Sequence, residues 1–379
     1  MRIALIHTRY GSGGGVEAYL RHLVEHLAET GCEIHFFGRR AEADRQHLFT
    51  FHKVRCLPVP QALRIASFAY RSARMVRADS FDLTMGFGRT FGHDFHRDSN
   101  GAFEPFRRAV AGSFSRSAFY CAVVRHLERK LYTDPDLLHT ICVSNFVRDQ
   151  ILARYPVKHD RISVLYNGVD TKVFSPEERA QRRRRLRESL GVSAEKPVAL
   201  FVANDWRRKG LETVLRALTL CPQWELWVLG EDRRAGSFQK VVRTLHLQDR
   251  VRFLGVRPSA PFYGAADIFV FPSLFDPLAN VVLEALASGS PVVVSPTDGA
   301  CELVSQGENG YVLPSPGDWR ALAAYMQRLL DPTLREKLGA RAARSVSYLT
   351  WQHHFDRLDR LLREAARKKQ ASDLEPGSD

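Results

Sequence analysis

The chain holds 379 residues, 45% of them hydrophobic and 26% charged, with a formal net charge of +13. That length exceeds one ordinary compact domain and makes two the expectation, and the ordinary charged fraction excludes a largely disordered chain. A basic balance of this size favours an anionic partner, whether nucleic acid, a membrane surface or a phosphorylated small molecule.

In chain order, residues 2–7, 34–38, 83–87, 138–143 and 162–166 read as strands, with helical patterns at 16–29 and 60–77 between them. The opening apolar run is a strand rather than a signal peptide, because no small-residue cleavage site follows it. No run approaches the roughly 18–20 apolar residues of a membrane span. From about residue 196 a second series begins: strands at 197–203, 224–230, 251–255, 268–272 and 291–295, helices at 211–218 and 281–288. Runs dense in Val, Ile and Leu suit parallel strands buried on both faces. Their alternation with helices implies an α/β fold of two Rossmann-like, doubly wound domains. The Asn167-Gly168 turn signal puts the boundary after residue 166. The expected units are a first domain 1–166, a second domain 167–347, and a segment 348–379 that starts as one amphipathic helix returning to the first domain. The arginine-rich stretch 177–188 reads as a solvated helix, and the tail after residue 369 as disordered. Ligands of open α/β sheets bind outside the carboxyl ends of the strands, so two facing domains imply a cleft.

The six cysteines (Cys32, Cys56, Cys121, Cys142, Cys221 and Cys301) show no CxxC pair and no metal-ligand spacing. Reduced thiols in a cytosolic protein follow.

Three segments carry candidate chemistry. The first strand runs into a glycine-rich turn, His7 to Glu17, in which Gly14 and Gly15 let a ligand approach the backbone at a helix start. A tight turn with no ligand is the other reading. The spacing is not GxGxxG, and the second strand ends in Gly38-Arg39-Arg40 with no acid for a ribose, which argues against a nicotinamide oxidoreductase. In the second series, Arg208 and Lys209 lie between a strand end and a helix start, where the helix dipole disfavours cations. A bound diphosphate resolves that conflict, with Arg208 gripping two oxygens and Lys209 adding a point charge. A solvated basic turn is the alternative. Finally, residues 273–284 place Asp276 in a loop and Glu284 in or near the first turn of the following helix. The N–H groups of Leu278, Ala279, Asn280, Val281 and Val282 are then free for phosphate. Asp276 accepts from sugar hydroxyls and Glu284 from ribose hydroxyls, or Glu284 only complements the helix dipole. Asp134-Pro135-Asp136 matches a DxD metal motif but has no other ligand context, and no metal site is read from it.

These residues resemble the family 4 retaining glycosyltransferases of GT-B fold. The likeness runs from Met1 to about Arg367 and rests on several motifs taken together. They are Gly14-Gly15-Val16-Glu17, Val143-Ser144-Asn145-Phe146, Asn167-Gly168-Val169-Asp170 with Phe174, Arg208-Lys209-Gly210, Gly230-Glu231, and an acidic pair with seven residues between. Within the family, Gly86-Phe87, Asp94 and Arg208-Lys209-Gly210 are similar to lipopolysaccharide core glucosyltransferases. The resemblance implies a UDP-sugar donor, a lipopolysaccharide or related glycolipid acceptor, no metal or other cofactor, and a cytoplasmic enzyme peripheral on the membrane. It assigns Arg208 and Lys209 to the diphosphate, Glu284 to the ribose, Asp276 to the sugar, and Glu231 and Val256 to the nucleotide. The acceptor side takes Glu17, Asp94, His96 and Asn100. Three positions depart from the pattern: Asp276 stands where Glu is usual, Asn280 where Gly is usual, and Asn100 where the subfamily carries an acid. Either Asp98 or His96 replaces that acid, or the leaving phosphate takes the acceptor's proton. If nothing replaces it, the chain is a non-catalytic sugar-nucleotide-binding subunit or sensor.

Between Pro105 and Tyr132 six cationic side chains face one carboxylate, Glu128, among interleaved aromatics. That pattern suits an anionic membrane surface or an amphipathic helix packed on its own domain. The remaining arginines are dispersed and no RRM, zinc or helix-turn-helix signature is present, which argues against nucleic acid.

Overall fold

The computed structural model describes residues 1–11, 14–42, 46–57, 59–111, 116–177 and 179–374. The chain divides into two compact units, residues 1–167 with 351–379, and residues 168–350.

The first unit holds a seven-stranded parallel sheet. Its spatial order is Thr50–Lys53, Glu33–Gly38, Arg2–Ile6, Leu83–Phe87, Phe95–Asp98, His139–Cys142, Ile162–Val164. The central apolar strands are buried on both faces, as parallel strands must be once helices cover them. On one side the helix Gly15–Glu29 buries Leu20, Leu23, Val24 and Leu27 against the sheet. The final helix, Trp351–Leu374, joins this cluster through Phe355, Leu358 and Leu362. Polar bonds pin it there: His354 Nε2 lies 3.1 Å from the Tyr19 hydroxyl, and His26 Nε2 lies 3.0 Å from Asp359. This helix runs to Leu374, five residues past the expected start of the disordered tail, because its apolar face already has a partner.

The second unit repeats the design with six parallel strands, ordered Val251–Gly255, Glu225–Leu229, Val198–Val202, Ile268–Phe271, Val292–Val294, Gly310–Val312. Trp224, Trp227 and Phe269 are fully buried in it. The arginine-rich helix Arg179–Ser189 is not simply solvated. Arg187 is 2% exposed, donates to the carbonyls of Ala265, Ser193 and Lys196, and pairs with Asp267 at 2.7 Å. Arg183 pairs with the same carboxylate at 3.0 Å. Two guanidiniums therefore act as clamps, since a buried cation is tolerated only when paired and fully hydrogen-bonded.

The basic stretch 105–132 is two helices, Phe103–Ala109 and Ala118–Tyr132, with residues 112–115 outside the described ones. Glu128 is 2% exposed and binds Arg89, the Phe103 N–H and the Tyr155 hydroxyl. It holds the two helices together and is withdrawn from the cationic surface, where Glu104 pairs with Arg107 and Arg108. Arg108, Arg116, Phe119, Arg125 and Arg129 are exposed on that surface. Among the described residues no helix is long and apolar enough to cross a membrane. All six cysteines are free. The DxD residues serve packing: Asp134 accepts from the Gly92 N–H at 2.9 Å, and Asp136 pairs with Arg77 at 2.8 Å.

Candidate active site

Each sheet changes winding direction beside its first strand, and that switch point is where loops diverge and leave room for a ligand. In the second unit the switch lies between Val198–Val202 and Ile268–Phe271. The loops leaving these two strands carry Arg208, Lys209 and Asp276, so three residues far apart in sequence meet at one place.

The loop after Val202 is rigidly built. Trp206, 3% exposed, donates its indole N–H to Ala203 O at 2.9 Å and its backbone N–H to Asp232 at 2.6 Å, and stacks on Phe253. Asp205 takes a left-handed φ of 59° and turns its carboxylate to Arg208 Nε at 2.9 Å. The Arg208 side chain also donates to Phe275 O at 3.0 Å, and its own carbonyl accepts from Leu274 N at 2.7 Å. The two switch-point loops are thus bonded to one another. Gly210 closes the turn at φ +84°, and a Cβ there would meet Pro272 O at 2.0 Å, so only glycine fits.

Lys209 Nζ is paired with Asp276 Oδ2, their side chains 13% and 10% exposed. The cations therefore sit against the helix dipole with carboxylates beside them: Asp205 for Arg208, Asp276 for Lys209. Neither carboxylate partnership was legible in the sequence. Asp276 contacts a lysine rather than open space, and any sugar it holds shares it with that ammonium.

The helix start differs from expectation. Leu278 N donates to Asp276 at 3.2 Å, Ala279 N to Asp298 at 3.2 Å, and Val282 N to Ala279 O. Two of the N–H groups expected to be free are therefore capped by aspartates, and a third is engaged by the backbone. Asn280 begins the helix Asn280–Ala287, which places Glu284 in the second turn rather than the first. Glu284 is half-buried and accepts from the Tyr263 hydroxyl at 2.9 Å and from Ser259 at 3.4 Å. Burial raises its pKa from the ordinary glutamate value, against those two hydrogen bonds. Beside the loop, a hollow of about 640 Å³ is lined by Asn204, Trp206, Glu231, Phe253, Gly255 and Val256. Val256 is 68% exposed at its rim.

In the first unit the switch lies between Arg2–Ile6 and Leu83–Phe87. Gly14 is the N-cap of the helix Gly15–Glu29 and Glu17 lies in its first turn, while Ser12 and Gly13 fall outside the described residues. Asn100 is exposed beyond the carboxyl end of Phe95–Asp98. The other candidates are not presented to a ligand. Asp98, 3% exposed, accepts from Asn100 N and Gly101 N at 2.8 Å each and from the Tyr132 hydroxyl. His96 is 1% exposed, stacked on His93, and burial brings its pKa down to about 3. Asp94 precedes the strand and so lies at the amino end of the sheet. There it accepts from Thr84 N at 2.8 Å and pairs with Lys369 at 2.9 Å. In this structure Asp98 and Asp94 bond loops and strands together, and His96 packs between them.

Two family models match the chain: "Glycosyltransferase Family 4" over residues 13–173 and "Glycosyl transferases group 1" over residues 182–345. The chain belongs to glycosyltransferase family 4. The lipopolysaccharide core biosynthesis glycosyltransferase LpsE of Rhizobium meliloti (strain 1021) is 27% identical over 338 residues, 88% of this chain and 91% of that one. Among solved structures, WaaG, a glycosyltransferase involved in lipopolysaccharide biosynthesis, superposes with a TM-score of 0.80 at 18% identity, over 93% of this chain and 98% of that one. Anabaena Alr3699/HepE in complex with UDP-glucose gives a TM-score of 0.75 at 19% identity, over 96% and 100%. The fold of this family member is GT-B, two Rossmann-like domains.

Proposed function

We propose that the chain is a retaining hexosyltransferase that moves glucose from UDP-glucose to a lipopolysaccharide core or related glycolipid. The observation that carries this reading is the convergence of Arg208, Lys209 and Asp276 at the second sheet's switch point, beside the helix that bears Glu284. In this reading Lys209 and Arg208 hold the diphosphate, Asp276 the sugar, and Glu284 the ribose. The hollow at Glu231 and Val256 takes the base. The bound UDP-glucose of Alr3699/HepE supports this choice of donor, and the name of LpsE, a lipopolysaccharide core biosynthesis glycosyltransferase, supports this choice of acceptor class.

As the bond from the anomeric carbon to the diphosphate breaks, its electron pair goes to the leaving oxygen. Preorganised cations stabilise that charge, usually the largest single catalytic contribution. The two cations take the place of a metal. With Asp98 fully bonded and His96 buried, the acceptor's proton goes to the departing phosphate oxygen as the acceptor oxygen bonds to carbon. Asn100 alone favours the second reading, a binder without turnover. The exposed face of residues 105–132, with Glu128 withdrawn from it, supports attachment to an anionic bilayer on the cytoplasmic side.

A thermal-shift screen against UDP-, GDP- and ADP-sugars tests the donor, because a ligand that binds only the folded state raises the midpoint. UDP-glucose should give the largest shift and be consumed with acceptor. A binder without turnover would shift equally and release neither sugar nor UDP.

A further inference from the structure

Asp298 is the buried acid that the reading above leaves unused, and sequence reasoning passed over it. It lies in the turn after Val292–Val294 and is wholly excluded from solvent. Its backbone is laced to that of Asp276: the two form a parallel bridge, Asp276 N donates to Thr297 O at 3.0 Å, and Gly299 N donates to Asp276 O at 2.9 Å. Its Oδ1 accepts from Ala279 N at 3.2 Å and from Ala300 N at 2.9 Å. Its Oδ2 is buried and has no partner among the described residues. The titratable groups that face it are Asp276, Lys209 and Cys301.

Two carboxylates thus share the neighbourhood of one ammonium. Lys209 is committed to Asp276. An ionised Asp298 would leave a buried charge with one oxygen unbonded beside a second negative group, an arrangement disfavoured by both desolvation and repulsion. A protonated Asp298 avoids both costs.

We propose that Asp298 is a positioning residue for the donor site: as a neutral acid it fixes the Asp276 loop and the start of the Asn280–Ala287 helix, and so keeps Lys209 available to the donor diphosphate. Loss of its proton places two negative charges against Lys209 and opposes the incoming diphosphate. Burial first, and then Asp276, push the Asp298 pKa up to about 8, which puts this ionisation just above neutrality. The inference rests on the donor reading above.

The test measures UDP affinity by calorimetry at pH 7, 8 and 9 for the full-length wild type and for Asp298→Asn, with thermal midpoints to show that both fold. If binding requires the neutral acid, wild-type affinity falls about tenfold between pH 7 and 9. Asp298→Asn, uncharged at every pH, should bind within about threefold of wild type at pH 7 and stay flat. An equal alkaline loss in both proteins overturns the proposal. An infrared titration of the same two proteins without ligand separates this from failure of the donor reading. If neither protein binds UDP, the donor reading fails, and the infrared result decides Asp298. A carboxylic-acid band present at pH 7, lost by pH 9 and missing from Asp298→Asn supports the neutral acid. Its absence at pH 7 overturns it.

Discussion

The carboxyl ends of the two sheets share a strand order yet use charge in opposite ways. In the first unit Arg9, just past the first strand, is exposed and paired with Glu42, whereas the charged groups at the end of Phe95–Asp98 are buried against their own chain. Arg97 is 1% exposed, donates to Ser99 and Asn167, and lies 3.6 Å from the centre of the Tyr19 ring. Asp98 beside it is saturated. In the second unit Arg208 and Lys209 are partly exposed and paired with carboxylates at the sheet's edge. Partners that retain contact with solvent can be exchanged for a ligand's oxygens. Buried groups bonded to their own chain cannot be, since removing one partner leaves an uncompensated polar group. The difference teaches that a shared winding order does not make two equivalent sites; the loops decide which end grips a charged substrate.

Substitution at the second unit should have the largest effect. Lys209→Ala should lower kcat/KM by about 10²–10³ at an unchanged thermal midpoint, by analogy with loss of one preorganised donor. Steady-state transfer from UDP-glucose measures it, and near-wild-type turnover would break the comparison. In the first unit, Asp98→Asn should cost about 1–3 kcal/mol of stability in urea denaturation, because the buried Tyr132 hydroxyl loses its acceptor while the retained amide oxygen still accepts from the Asn100 and Gly101 N–H groups. Its kcat should remain within about threefold, whereas loss of a true general base costs about 10²–10⁴.

A pH effect sharpens the contrast further. His93, His96 and His354 are held neutral by burial, with pKa values of about 4, 3 and 3. Their folded values lie below the unfolded one, so unfolding takes up protons. Stability from this source is complete above pH 6.5 and is lost progressively as pH falls from there toward the folded values. Urea midpoints should therefore drop between pH 7 and 5, and less so in His96→Phe. The smallest effect concerns the exposed basic face. Vesicles containing anionic lipid should retain the protein, at about 1 kcal/mol for each cation that reaches the surface. Arg125→Ser with Arg129→Ser should weaken retention, and binding that is equal on neutral vesicles would remove the electrostatic explanation.

The core strands were legible because runs such as Val198–Val202 and Val292–Val294 are apolar throughout. Phe95–Asp98 was not, since three of its four residues are polar and are buried only through specific bonds. Thr50–Lys53 and Gly310–Val312 escaped for a different reason: both are short edge strands with little apolar pattern. At the candidate site, spacing and strand ends pointed to Arg208, Lys209, Asp276 and Glu284. Their partners were hidden because pairing depends on which loops meet in space. Asp205, Tyr263 and Asp298 come from separate segments, and only the sheet order joins them. The place of Asp94 at the amino end of its strand was hidden too, because residue type alone does not reveal which end of a strand a residue occupies.

The central claim is that the second unit's switch point holds a nucleotide diphosphate through Lys209. Calorimetric titration of wild type and Lys209→Ala with UDP-glucose, at matched thermal midpoints, tests it most directly. The account predicts saturable one-site binding to wild type and at least tenfold weaker binding to the variant. Equal affinity in the two proteins, or no binding to wild type, would contradict it.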